Sequence, residues 1–159
     1  MQQNDCMIKE ADMTSTDKIE QRVYLAATPE RVWRALTDAD EFGAWFASEL
    51  EAPFAEGRTV SMTCLGERFA IDIVEITPPR RLVWRWHPGW VDHSLDYSKE
   101  PKTTTVFDLV PHADGTMLTV TETGFDAINA ARRPSVFRDN VNGWLEQAAS
   151  LRKYLESAG

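Results

Sequence analysis

Residues 134–159 read PSVFRDNVNGWLEQAASLRKYLESAG, and the spacing of their apolar positions decides the architecture. Phe137, Val141, Trp144, Ala148, Leu151 and Leu155 recur at steps of four and three. That spacing lines one stripe of an α-helix about twenty residues long, and Pro134 suits its first turn. A helix with a single apolar stripe must bury it against another layer. Gly143, inside the helix, costs about 1 kcal/mol relative to alanine. Its expected compensation is close approach of another backbone, as when a sheet grips the helix.

Working back from the helix, residues 48–124 hold only strand patterns, at 48–53, 58–65, 68–77, 81–87, 103–110 and 116–124. The Asp114-Gly115 pair in PHADG (111–115) is a hairpin signal, and TPPR (77–80) is a second tight connection. Strands at such short spacing without intervening helices predict an antiparallel meander. The run IVEI (73–76) breaks strict alternation and predicts a bulge. Farther upstream, IEQRVYLAA (19–27) alternates as a strand. TPERVWRAL (28–36) then opens a helix, with Thr28 as cap, Pro29 in the first turn and Glu30 complementing the dipole. In DADEFGAWF (38–46), Asp38 stands three residues before Glu41, a capping-box spacing for a second short helix that Gly43 loosens or ends. Residues 1–17 are polar and aperiodic and read as a flexible tail, leaving 18–159 as a single α+β domain.

Bulk properties agree. A chain of 159 residues, 43% hydrophobic and 26% charged, suits one domain with a sizeable core. A net charge of −8 without any Lys/Arg run argues against nucleic acid, whose phosphates need neutralising. No stretch approaches the ~18 apolar residues of a membrane span, and the first residues lack the pattern of a secretory signal. Cys6 and Cys64 are far apart, which argues against a disulfide framework or a cysteine zinc site. The expectation is a cytoplasmic protein without cofactor or metal.

The candidate site follows from alternation along the strands. In RLVWRWH (81–87), Leu82, Trp84 and Trp86 share one face, and Arg85 places Val83, Arg85 and His87 on the outside. The same rule turns Phe69, Ile71, Phe107, Leu109, Leu118, Val120 and Glu122 inward. The inward rings either pack as core or wall a ligand cavity. An inward Glu122 needs a hydrogen-bonding partner, a neutral form or solvent in a cavity, unless it lies exposed at a strand end. Asn140, one turn before Trp144, is placed to face it. The polar stretch 88–102 is long for a strand connection and reads as a lid over the cavity mouth or a dimer contact. It carries Asp92, His93, Asp96 and Tyr97 beside His87. Two histidines six residues apart match no standard zinc spacing.

The segments ATPERVWRALTDADEFGAWF and NVNGWLEQAASLRKYLE, with WHPGWVDHSLDYSKEPKTTTVFDL and TVTETGFD between them, resemble the SRPBCC (START-like, birch-pollen-allergen-like) superfamily. More narrowly, they resemble its bacterial branch named after the activator of heat-shock protein ninety ATPase. The resemblance covers 19–157 and implies a helix-grip fold: a curved seven-stranded antiparallel sheet around the C-terminal helix, with a cavity between them. Some similar sequences carry the label vanillate demethylase reductase. A reductase needs a flavin or nicotinamide site and a cysteine-bound cluster; two distant cysteines and no Gly-rich fingerprint rule against it here. The leading reading is a protein, monomeric or dimeric, that binds a small hydrophobic or aromatic molecule. The candidate lining is Trp45, Phe46, Phe69, Trp84, Trp86, Phe107, Glu122, Phe125, Asn140 and Trp144. One alternative is a chaperone-linked interaction protein acting from its outer surface. The other is an acid–base enzyme (cyclase, hydratase or hydrolase) using Glu122, aided by Tyr97 or His87.

Overall fold

Alternation of inward and outward side chains carries through into one seven-stranded antiparallel sheet. The computed structural model describes residues 17–158; the tail expected over 1–17 lies, apart from Asp17, outside the described residues. Along the chain run β1 (Lys18–Leu25), α1 (Pro29–Thr37), α2 (Ala39–Phe46), β2 (Glu49–Leu50), β3 (Thr59–Cys64), β4 (Glu67–Thr77), β5 (Arg81–Trp86), β6 (Thr103–His112), β7 (Gly115–Thr123) and α3 (Arg133–Ala158). The spatial order is β1-β7-β6-β5-β4-β3-β2. The meander is therefore sequential, and β1 closes it by pairing with β7. The expected helix-grip fold is present: α3 lies along the concave face, burying Val136, Trp144, Leu151 and Leu155.

Local sequence explains most boundaries. Thr28 accepts from the Arg31 N–H at 3.2 Å and Pro29 begins α1. Asp38 caps α2 by accepting from the N–H groups of Asp40 and Glu41, each at 3.0 Å. Only half of a capping box forms, because the Glu41 side chain turns elsewhere. The bulge expected in IVEI falls between Ile73 and Glu75. It leaves Val74 as the extra, half-exposed residue. The 48–53 strand is much shorter than expected: β2 holds two residues, and Pro53 has no N–H to continue a ladder.

Three glycines act differently from the expectation. Gly43 does not end α2. A Cβ there would stand 2.7 Å from the Ser48 carbonyl oxygen, so the glycine permits the chain to fold back against the helix. In the β6–β7 hairpin the left-handed residue is Ala113, at φ 53°. Gly115 is needed because a Cβ would sit 2.3 Å from the Leu25 carbonyl oxygen. The close approach expected at Gly143 is absent: nothing lies within 4 Å of a Cβ built there.

The C-terminal half of α3 is tied to the helix pair through Glu41. Its carboxylate accepts from Arg31 at 2.8 Å, Arg34 at 2.9 Å and the Tyr154 hydroxyl at 2.8 Å. Partial burial by itself would raise the Glu41 carboxyl, but the bonds from Tyr154, Arg31 and Arg34 together outweigh it and hold the group below the usual carboxylate range. The Ser150 hydroxyl adds a bond to the Trp45 carbonyl.

Two outcomes follow. Gly143→Ala should stabilise the protein by about 0.5–1 kcal/mol, since helix propensity rises and no atom opposes the methyl group; urea denaturation measures it. A carboxyl depressed in the folded state contributes stability above its unfolded value and loses it as pH falls through the folded one. Glu41→Gln should therefore be less stable than wild type near neutrality, and the gap should narrow as pH drops below about 4, read as urea midpoints across pH.

Candidate functional site

The buried polar side chains Thr103, Thr105, Thr116 and Glu122 all lie on β6 and β7. Ile19, Glu122, Thr105, Trp84 and Ile73 are successive register partners across β1, β7, β6, β5 and β4. Glu122 is wholly buried, at 0% exposure, yet its carboxylate is surrounded by donors. Oε1 accepts from Trp144 Nε1 and Asn140 Nδ2, both at 2.8 Å. Oε2 accepts from Trp86 Nε1 at 2.9 Å and the Thr103 hydroxyl at 2.5 Å, with Asn140 Nδ2 also within 3.0 Å. Indole N–H and amide NH₂ groups only donate, which matches an acceptor-only carboxylate. The expected facing of Asn140 and Glu122 is thus direct contact, and the indole N–H groups of Trp86 and Trp144 find their partners inside the protein. Trp84 Nε1 and Thr105 Oγ1, neighbours in the same row, are buried without a protein partner.

Around this row the rings pack on each other. Trp84 meets Phe107 at 4.9 Å and Trp86 at 5.2 Å between centroids, and Trp144 meets Phe107 at 5.7 Å and Trp86 at 5.9 Å. Trp45 donates its indole N–H to the Ala35 carbonyl at 2.8 Å. Phe125 is buried edge-to-face on Phe137. These rings fill most of the grip. Beside them lies a cleft of about 130 Å³ against α3, walled by Phe46, Met62, Phe69, Trp86 and Trp90, with Asn140 and Gly143 on the helix side. Asp139 and Glu146 stand at its helix edge.

Of the ten residues expected to line a cavity, Phe46, Phe69, Trp86 and Asn140 border this cleft. Trp45, Trp84, Phe107, Phe125 and Trp144 are core, and Glu122 stands behind the wall, holding Trp86 and Asn140 in place. Thr103, Met62 and Trp90 were not among the expected residues. Thr103 was legible, since it alternates with Phe107 on β6; Met62 and Trp90 meet the cleft only through the folding of β3 and the loop.

The 88–102 loop is held at both ends. The Gly89 N–H donates to Asn140 Oδ1 at 2.9 Å, so one amide side chain joins the buried carboxylate to the loop backbone. Arg132 pairs with Glu100 at 2.7 Å and Lys102 with Asp72 at 2.6 Å. His87 and Tyr97 pack together, centroids 5.0 Å apart, on the outer side of the sheet, whereas Glu122 points inward. The three residues of an acid–base site are therefore not brought together. His93 pairs with Glu67 at the surface, and the described residues hold no cluster of three or more His, Cys, Asp or Glu side chains placed to bind a metal. No described helix is long and apolar enough to cross a membrane.

Comparison with known proteins places this geometry among relatives. Residues 26–156 match the family described as activator of Hsp90 ATPase homolog 1-like protein. No curated protein matches the chain. Among solved structures, a Mesorhizobium loti protein superposes with a TM-score of 0.74 at 20% identity, over 89% of this chain and 98% of that one. A putative protein of the dynemicin biosynthetic locus gives 0.71 at 26% identity, over 89% of this chain; this chain spans only 48% of it. The Aha1 dimer of Colwellia psychrerythraea gives 0.68 at 19% identity, over 87% of this chain and 96% of that one.

Glu122→Gln tests the donor cluster. An amide has one acceptor oxygen where the carboxylate has two, and its NH₂ would face N–H donors. The variant should lose about 2–4 kcal/mol, seen as a fall of roughly 5–15 °C in Tm. An unchanged Tm would show that the cluster does not hold the helix.

Proposed function

The chain belongs to the activator of Hsp90 ATPase homolog 1-like family, and from that premise we propose that it binds a small hydrophobic or aromatic molecule in the cleft between the sheet and α3. The observation that carries this reading is the cleft itself, an apolar recess of about 130 Å³ floored by Trp86 and Phe69. Its size limits the ligand. An apolar cavity of about 150 Å³ accommodates benzene, so a recess of this size suits a single ring. Asn140 offers the polar contact, although its Oδ1 already serves Gly89 and its Nδ2 serves Glu122. Asp139 and Glu146 at the edge favour a neutral or cationic ligand over an anion.

Glu122 supports this function as a positioning residue. Its oxygens are occupied by four side chains, which leaves no lone pair aimed at a substrate and weighs against its use as acid or base. The family name and the dimer of the Colwellia relative bring a chaperone partner and self-association into view. Of the exposed large apolar residues Leu65, Val74, Trp90, Val110 and Leu145, Trp90 borders the cleft, which is the site this reading rests on.

Gly143 supplies the test. Its Cβ position is open and it borders the cleft, so Gly143→Leu should fill the recess while keeping the helix. Phenol titrated into wild-type protein should move the backbone amide resonances of Gly143, Asn140 and Gln147 saturably, and Gly143→Leu should abolish those shifts without lowering Tm. Equal binding by the two proteins would overturn the assignment of the cleft.

A further inference from the structure

A second concavity, about 650 Å³ in volume, lies on the face of the sheet opposite α3, between the ends of β4 and β5 and the 88–102 loop. Its volume falls within the roughly 300–1,000 Å³ of small-molecule sites. The outward side chains Ala70, Arg85 and His87 line its strand side, and Val91, Tyr97 and Pro101 line its loop side.

The charge here runs against that of the molecule. In a chain of net charge −8, the concavity is lined by Arg68, Arg85 and Lys102 and by a single carboxylate, Glu100. Lys102 is held by Asp72 and Glu100 by Arg132, while Arg68 reaches Ser61 at 3.0 Å and Glu51 at 3.4 Å. Arg85 differs. Its register partner is Asp72, but the Asp72 oxygens are taken by the Thr59 hydroxyl at 2.7 Å and Lys102 at 2.6 Å. Among the described residues the exposed Arg85 guanidinium makes no hydrogen bond or ion pair, and it acts on Asp72 only through a longer-range attraction that helps hold that carboxyl below its usual value. Burial holds the His87 imidazole below its usual value, against an opposing bond to the Glu100 carbonyl. That carbonyl, 3.2 Å from Nε2, assigns the proton to Nε2.

The loop wall is built in advance of any ligand. Asp92 accepts from the Ser94 N–H and hydroxyl, and Asp96 does the same for Ser98. The Asp92 N–H donates to the Tyr97 hydroxyl at 2.8 Å, and the Tyr97 ring packs tilted against His87. A fixed aromatic wall beside an unengaged guanidinium suits a planar anion, because the guanidinium fork matches a carboxylate in two parallel bonds.

We propose that this concavity binds a small organic anion, a carboxylate carried on an aromatic or apolar body, with Arg85 pairing the carboxylate and Tyr97, His87 and Val91 contacting the body. The site is independent of the cleft beside α3, whose edge carries Asp139 and Glu146 and disfavours the same ligand. The two recesses meet only at Phe69, His87 and Gly89.

Benzoate and its neutral isostere benzamide are the probes, titrated into ¹⁵N-labelled Gly143→Leu protein so that ring binding in the cleft does not contribute. Benzoate should shift the amides of Arg85, His87, Tyr97 and Lys102 saturably. Benzamide should bind at least about tenfold more weakly, and Arg85→Gln should weaken benzoate by a similar factor. Arg85→Lys, which keeps the charge but not the fork, should fall between. Shifts confined to Phe46 and Asn140, equal binding of benzamide, or an affinity unmoved by Arg85→Gln would each overturn the proposal. Inorganic phosphate producing the same shifts at the same affinity would overturn it too, since the aromatic wall would then contribute nothing.

Discussion

The carboxylate of Glu122 constrains this structure more tightly than any apolar contact. Hydrophobic burial is non-directional, and the stripe of α3 by itself tolerates small slides along the sheet. A buried acceptor surrounded by Trp86 from β5, Thr103 from β6, and Asn140 and Trp144 from α3 does not. Each donor must lie within hydrogen-bond reach of one of two oxygens, so the helix is set against the sheet in one register. At the other end Glu41 repeats the device with Arg31, Arg34 and Tyr154. Two carboxylates on opposite sides of the grip thus position one long helix.

That constraint shapes the site. With Trp86 and Trp144 turned toward Glu122, their rings fill the space between sheet and helix around the carboxylate, and the cleft lies beside them toward the loop. Asn140 carries the arrangement outward, since its amide nitrogen binds Glu122 and its oxygen binds the Gly89 backbone. The cleft wall and the loop are therefore linked to the core through one side chain. The chain's acidic character does not extend to every surface: carboxylates edge the inner cleft and cations line the outer concavity. The two recesses meet at Phe69, His87 and Gly89, and their charged linings are of opposite sign.

Family membership accounts for the frame and leaves its chemistry open. Relatives at about one-fifth identity share the curved sheet and terminal helix, which is what shared fold conveys. The size of the cleft depends instead on individual side chains. Gly143 keeps open space beside the helix, and Phe46 and Trp86 take up space that smaller residues would leave free.

The architecture was legible in the sequence because periodicity is local. The four-and-three spacing of Phe137 to Leu155 requires an amphipathic helix, and alternation in RLVWRWH requires Trp84 and Trp86 to share one face, opposite Arg85. Asp38, Thr28 and Pro29 marked helix starts through contacts spanning two or three residues. Glycine roles were not legible. Gly43 and Gly115 are required by carbonyl groups of Ser48 and Leu25, while Gly143 meets nothing, and sequence spacing does not report where a distant backbone passes. Nor was the state of the grip. Whether inward aromatic rings fill a space or surround it depends on how far helix and sheet stand apart, and here side chains from three elements converging on one carboxylate decide that distance. Sequence alone determined which residues face inward; the tertiary structure decided which of them touch one another and which border empty space, because that follows from the spacing between elements rather than from periodicity within them.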